Sequence, residues 1–225
     1  MTNPHPPSYA GTSKPMAKLY LITDDGLSVE ENLNLFSESL LEGCGMFQLR
    51  LKDQPDERLY RVALEFSRRC HAVGVPFIVN DRLDLALAAG AEGVHLGESD
   101  LPLGVARQIV GDGLLIGATV RDTVKAEQAQ AAGVSYLACG PCFATQTKPE
   151  LEPVGLRAVA RVIDHSELPV CAIGGINSGN LAEVLEVRPS YVSLVTAVSR
   201  AVDPLAVKER LLRFLDVDEH NLRKS

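Results

Sequence analysis

From Lys18 onward the chain alternates two kinds of pattern. Short apolar, β-branched runs appear at 19–23, 46–51, 76–80, 93–96, 114–119, 136–140, 169–173 and 191–196, and each reads as a strand. Between them lie helical patterns. Ser28 with Glu31 three residues on forms a capping box, and Gly43 closes that helix. Leu59, Val62, Ala63, Phe66, Cys70 and Val73 recur at steps of three and four, one apolar stripe that ends at Gly74. Comparable stretches follow at 83–89, 103–110, 123–132, 156–164, 181–187 and 204–215. The strand runs are apolar throughout, as expected of strands buried on both faces, and regular βα alternation makes them parallel. Eight such units within about 200 residues predict a single α/β domain, a (β/α)8 TIM barrel over residues 18–216. An open doubly wound sheet is the other arrangement, but it favours fewer strands and a glycine-rich turn after the first, and no GxGxxG stands there.

Outside the barrel, residues 1–17 carry Pro4, Pro6, Pro7 and Pro15 without an apolar core, which predicts a flexible tail rather than a signal peptide. Residues 217–225 read as a charged C-terminal tail. Of the 225 residues 46% are hydrophobic and 23% charged, a globular balance. Charged residues interrupt every apolar stretch before it reaches a membrane span, so no membrane partner is expected. A net charge of −7 disfavours nucleic acid, which demands a basic face. These features, with five cysteines in apolar surroundings, predict a cytoplasmic protein with reduced core thiols. Self-association with a second copy stays open. Cys139-Gly140-Pro141-Cys142 has the spelling of a redox pair, but a polar loop follows where a thiolate-stabilising helix would be needed.

In such a barrel the working face is the C-terminal end of the strands. The second strand ends Gln48-Leu49-Arg50-Leu51-Lys52, and alternation sends Gln48, Arg50 and Lys52 to one side, a cationic set suited to an anion. Asp81 and Asp100 follow the third and fourth strands. Paired carboxylates at adjacent strand ends suit one hard divalent cation, Mg2+, shared with phosphate oxygens. His95 lies within its strand and reads as a hydrogen-bonded interior residue. After the sixth strand, Thr145, Gln146, Thr147 and Lys148 form a polar loop able to close over a phosphorylated ligand; Gly174-Gly175 and Val195-Thr196 end the last two strands, where such barrels recurrently bind phosphate.

Taken in order, the segments Tyr20-Leu21-Ile22-Thr23-Asp24, Gln48 through Lys52, Asn80-Asp81-Arg82, Gly93-Val94-His95-Leu96-Gly97, Gly140-Pro141 with Thr145 through Lys148, and Ala172 through Ile176 resemble the thiamine-phosphate synthase family, from about residue 18 to 204. The resemblance implies a transferase that joins 4-amino-2-methyl-5-hydroxymethylpyrimidine diphosphate to 4-methyl-5-hydroxyethylthiazole phosphate, releasing diphosphate, with Mg2+ as cofactor and small phosphorylated molecules as its partners. By the same resemblance Gln48, Leu49, Arg50, Leu51, Lys52, Asn80, Thr119 and Lys148 would hold the pyrimidine diphosphate, and Asp81 and Asp100 the metal. Thr145, Gln146, Thr147, Gly175, Val195 and Thr196 would hold the thiazole phosphate. Arg50, Lys52, Lys148 and Thr119 would take part in the chemistry.

The chain departs from the family pattern in three places. Thr119 and Thr196 stand where serine is usual, keeping the hydroxyl and adding a methyl, and Arg188-Pro189-Ser190 replaces a Gly-Ala-Asp turn. A thiazole tautomerase of the same superfamily and a non-catalytic phosphate-ligand sensor are the other readings. The first tends to lack both the Gln-x-Arg-x-Lys and Asn-Asp-Arg sets that this chain carries.

Overall fold

The computed structural model describes residues 18–145 and 151–222. Within them eight parallel strands close into a barrel in chain order: β1 (Lys18–Ile22), β2 (Met46–Leu49), β3 (Phe77–Asn80), β4 (Gly93–Leu96), β5 (Leu115–Val120), β6 (Tyr136–Cys139), β7 (Val170–Ile173) and β8 (Tyr191–Leu194). Closure is explicit in the register, which pairs Tyr20 with Met46 on β2 and with Ser193 on β8. The helices are α1 (Val29–Leu35), α2 (Glu38–Leu41), α3 (Asp56–Val73), α4 (Leu83–Ala88), α5 (Leu103–Val110), α6 (Thr123–Ala131), α7 (Gly155–His165), α8 (Leu181–Glu186), α9 (Thr196–Ser199) and α10 (Pro204–Leu222). Among the described residues no helix is long and apolar enough to cross a membrane.

Because each strand buries both faces, the core divides in two. One part lies between barrel and helices, where the Phe36, Phe66 and Phe77 rings gather around Phe47, with Phe36–Phe47 and Phe47–Phe66 centroids 5.0 and 4.9 Å apart. That spacing is the aromatic contact range, and the interlocked rings hold α3 against β2 and β3. The other part fills the barrel with Tyr20, Ile22, Met46, Ile78, Tyr136, Ala138 and Cys171. The inner residues are fewer and more polar, which leaves room for a cavity at the mouth.

Local chemistry sets the element ends. Ser28 and Glu31 form the predicted capping box on α1, and Gly74 ends α3 in the left-handed region at φ 68°. Three expectations need correction. The first helix does not run unbroken to Gly43: the chain turns at Phe36, whose ring is pulled into the aromatic stack, and Arg69 donates to the carbonyls of Leu33 and Phe36 left free by the break. The eighth strand stops at Leu194, so Thr196 opens α9 instead of ending the strand. Finally, α10 continues to Leu222, past the helical stretch expected over 204–215, because no glycine or proline interrupts it there.

Candidate active site

A cavity opens at the C-terminal ends of the strands, bounded by Gln48 and Arg50 from β2 and its loop, Asn80 from β3 and Thr119 from β5. Its far wall carries Thr145, Gly175, Val195 and Thr196. Residues predicted for two separate anions thus face one space. Arg50 and Asn80 also line a neighbouring recess with Leu49, Leu51, Lys52 and Asp81.

The position of Lys52 is a correction. Alternation placed it beside Gln48 and Arg50; it shares the neighbouring recess with Arg50 but does not line the central cavity with Gln48, because β2 ends at Leu49 and beyond a strand the period of two no longer governs direction. Lys52 instead donates its backbone N–H to Asp25 Oδ1 at 3.0 Å and faces the outer recess, while the Arg50 guanidinium pairs with Asp25 Oδ2. Leu49 is buried in the outer core and Leu51 is half-buried against it.

Asp81 does not cap α4; Arg82 occupies that position, its guanidinium tied to Asp84 and Asp56. Instead Asp81 adopts φ 62°, a left-handed conformation that aspartate tolerates better than most residues, with its N–H on the His95 carbonyl. The turn brings its carboxylate to that of Asp100, whose Oδ2 also accepts from Gly97 N–H at 2.6 Å. Burial and the adjoining Asp100 carboxylate push Asp81 up to about 6, against the pull of Lys52 and Arg50. No group of three or more metal-binding side chains occurs among the described residues, so a cation held here would draw its other ligands from phosphate and water.

Gly174 and Gly175 have φ of 94° and 68°, and their lack of a side chain lets the loop after β7 pass beneath the loop after β6. A Cβ at Gly174 would stand 2.4 Å from the Pro141 side chain, and one at Gly175 2.5 Å from the Ala144 carbonyl oxygen. Cys142 N–H to the Ile173 carbonyl and Phe143 N–H to that of Gly174 fasten the two loops. Thr145 thereby reaches the cavity. Gln146, Thr147 and Lys148 lie outside the described residues.

The thiamine monophosphate synthase family model matches residues 19–198. The chain belongs to that family. It is 37% identical over 204 residues to the thiamine-phosphate synthase of Chloroflexus aurantiacus, covering 90% of this chain and 94% of that one. The thiamine-phosphate synthase of Thermosynechococcus vestitus is 38% identical over 203 residues, which span 90% of this chain but only 57% of that longer relative. Among solved structures, thiamine phosphate pyrophosphorylase from Pyrococcus furiosus superposes with a TM-score of 0.79 at 33% identity, covering 88% of this chain and 95% of its own. A 3-hexulose-6-phosphate synthase structure, at 18% identity and TM-score 0.66, shares the barrel fold.

In this member of the thiamine monophosphate synthase family, two features escape a reading of the sequence alone. Asp24, 5% exposed, accepts from Ser199 Oγ at 2.6 Å, Arg200 Nε at 2.9 Å and Gly26 N–H at 2.8 Å, tying the loop after β1 to the end of α9. Burial alone would raise its pKa, but those donors together hold the carboxyl below its ordinary value. The second is a hydrogen-bonded chain along the cavity floor, which includes His95. The Cys139 and Cys142 thiols are buried and pushed up to about 12 and about 11 by desolvation, so they remain protonated core groups, unlike a redox pair.

Proposed function

We propose that this chain is a thiamine-phosphate synthase: it condenses 4-amino-2-methyl-5-hydroxymethylpyrimidine diphosphate with 4-methyl-5-hydroxyethylthiazole phosphate to give thiamine phosphate and diphosphate. The observation that carries the reading is the junction at Arg50 and Asn80, which line both the central cavity and the recess holding Lys52 and Asp81. A diphosphate seated in the recess leaves its pyrimidine methylene in the central cavity, next to the wall of Thr145, Gly175, Val195 and Thr196 that receives the thiazole phosphate. Family membership and the relatives' names support the same reading.

Departure of diphosphate from an electron-rich pyrimidine methylene runs through a cation-like transition state, so the protein's task is to stabilise negative charge growing on the leaving group. Arg50 and Lys52 line the recess and would supply that charge; the resemblance gives the same part to Lys148, which lies outside the described residues. Asp81 and Asp100 would hold Mg2+, because two adjacent carboxylates that repel one another, one already driven toward protonation, gain from a divalent cation. When bound, the ion supplies further charge neutralisation to the diphosphate oxygens. No side-chain nucleophile is required. The thiazole nitrogen attacks the methylene, and holding both rings in one cavity lowers the barrier by several kcal/mol, up to ~7 to 11 in favourable cases.

The test is diphosphate release measured with both substrates and Mg2+, and with each omitted in turn. The synthase releases diphosphate in step with thiamine phosphate only when all are present. Binding of both ligands without release would identify a sensor. Metal-independent conversion of a thiazole carboxylate phosphate, without diphosphate release, would identify a tautomerase.

A further inference from the structure

Along the cavity floor five side chains from five strands form one hydrogen-bonded chain. Gln48 Nε2 donates to Tyr20 Oη at 2.7 Å, the Tyr20 and Tyr136 hydroxyls lie 2.8 Å apart, and Tyr136 Oη lies 3.1 Å from His95 Nδ1. His95 Nε2 lies 3.0 Å from Thr119 Oγ1. Gln48, Tyr20, His95 and Thr119 line the cavity, with Tyr136 behind them, and all but Thr119 are buried. Burial raises both phenols far above their ordinary range and keeps them neutral, so they serve as hydrogen-bonding parts and not as acids.

The chain has a direction. An amide nitrogen can only donate, so Tyr20 Oη accepts from Gln48; passing its own proton to Tyr136 is then the arrangement that leaves no buried hydroxyl proton without an acceptor. In the same arrangement Tyr136 offers its proton to His95 Nδ1, and the ring carries its proton on Nε2, toward Thr119 Oγ1. At one end Gln48 lines the cavity with its amide oxygen left as the acceptor. At the other, the Thr119 hydroxyl has its proton free to donate.

Gly117 shows that the fold makes room for this contact. Its φ needs no glycine, yet a Cβ there would stand 2.1 Å from Tyr136 Cζ and 2.5 Å from His95 Nδ1. Nearby, the Ser193 hydroxyl also lines the cavity, buried and without a hydrogen-bond partner among the described residues. An orphaned buried hydroxyl is costly, and a polar ligand atom on this floor would relieve it.

We propose that Tyr20, Tyr136 and His95 act as positioning residues, a polarised relay that fixes Gln48 as acceptor and Thr119 as donor and so selects a 4-aminopyrimidine over its 4-oxo counterpart. The amine offers N–H to Gln48 and a ring nitrogen to Thr119. The oxo ring reverses that pattern, setting carbonyl against amide oxygen and leaving the buried groups unmatched. The identity of the ring rests on the synthase reading; the polarity of the floor does not.

The experiment is calorimetric binding of the 4-amino and 4-oxo pyrimidine diphosphates, with inorganic diphosphate as the control for the anionic half, to the wild-type protein and to Tyr136→Phe. The wild type should prefer the amino form by at least ~10²-fold, since sites built around a buried donor or acceptor reject mismatched analogues strongly. Tyr136→Phe should cut that ratio by ~10-fold or more and leave inorganic diphosphate binding unchanged, a split that general loosening of the barrel would not produce. Should that variant fail to fold, Tyr20→Phe reads the same ratio by freeing the Gln48 amide. A wild type that binds both rings equally, or a folded variant that keeps the full ratio, overturns the relay. Discrimination that depends on Tyr136 in a protein releasing no diphosphate would instead overturn the synthase reading and leave the relay standing.

Discussion

Two sides of the barrel mouth each hold an aspartate, and they treat it in opposite ways. On the β8–β1 side, Asp24 is surrounded by donors from Ser199, Gly26 and Arg200, and its pKa falls below the ordinary value. On the β3–β4 side, Asp81 is half-buried against a second carboxylate, and its pKa rises to about 6. The first side satisfies its charge internally and behaves as a strut. The second sets two carboxylates together with only partial compensation from Lys52 and Arg50, a condition stable proteins avoid unless something else completes the site. The contrast separates scaffold from site more sharply than the presence of aspartates at strand ends does.

The largest effect should come from removing the partly compensated side. Asp81→Asn or Asp100→Asn should lower Mg2+-dependent turnover by ~10² to 10³-fold, the usual loss for one preorganised electrostatic element, with the fold intact by circular dichroism. Asparagine suits Asp81, since it also tolerates the left-handed φ. Unchanged rates in both variants at limiting Mg2+ would remove the metal assignment.

A smaller effect, of another kind, should follow on the satisfied side. Asp24→Ala leaves Ser199 and the Gly26 N–H without their acceptor and should cost about 2 to 3 kcal/mol of stability in urea denaturation. Any loss of turnover should track Thr196, at the other end of the same short helix, as a raised KM for the thiazole phosphate. If instead the KM for the pyrimidine diphosphate rose, the division of the mouth into strut and site would be wrong.

The barrel was legible because doubly buried strands write nearly continuous apolar runs, and each of the eight lies within two residues of its expected ends. The pairing of Asp81 with Asp100 was legible too, since adjacent parallel strands bring their C-terminal ends together. Direction beyond a strand end was not. Lys52 turns toward the outer recess because Asp25 captures its backbone, a contact that alternation cannot encode. Phe36 breaks a helix whose local sequence would have continued, since packing against Phe47 and Phe66 outweighs propensity. The roles of Asp24 and of the Tyr20–Tyr136–His95 chain arise from partners far away in sequence, 175 residues for Ser199 and 116 for the two tyrosines.

The claim that one side is satisfied and the other incomplete has a direct thermodynamic test. Asp81 has a folded pKa above its unfolded value near 3.8, so between about pH 4 and 6 the folded state binds more protons, and stability must fall as pH rises through that window. Asp24, with a lowered pKa, contributes the opposite slope: its stabilisation is present above the ordinary carboxylate range and is lost as pH falls below it. The measurement is chemical unfolding of wild type and Asp81→Asn from pH 4 to 7, with and without Mg2+. Without metal, Asp81→Asn should gain on wild type as pH rises, reaching about 1 to 2 kcal/mol by pH 7, and Mg2+ should erase the gap by stabilising only the wild type. Parallel pH profiles for the two proteins, with equal responses to Mg2+, would contradict the account.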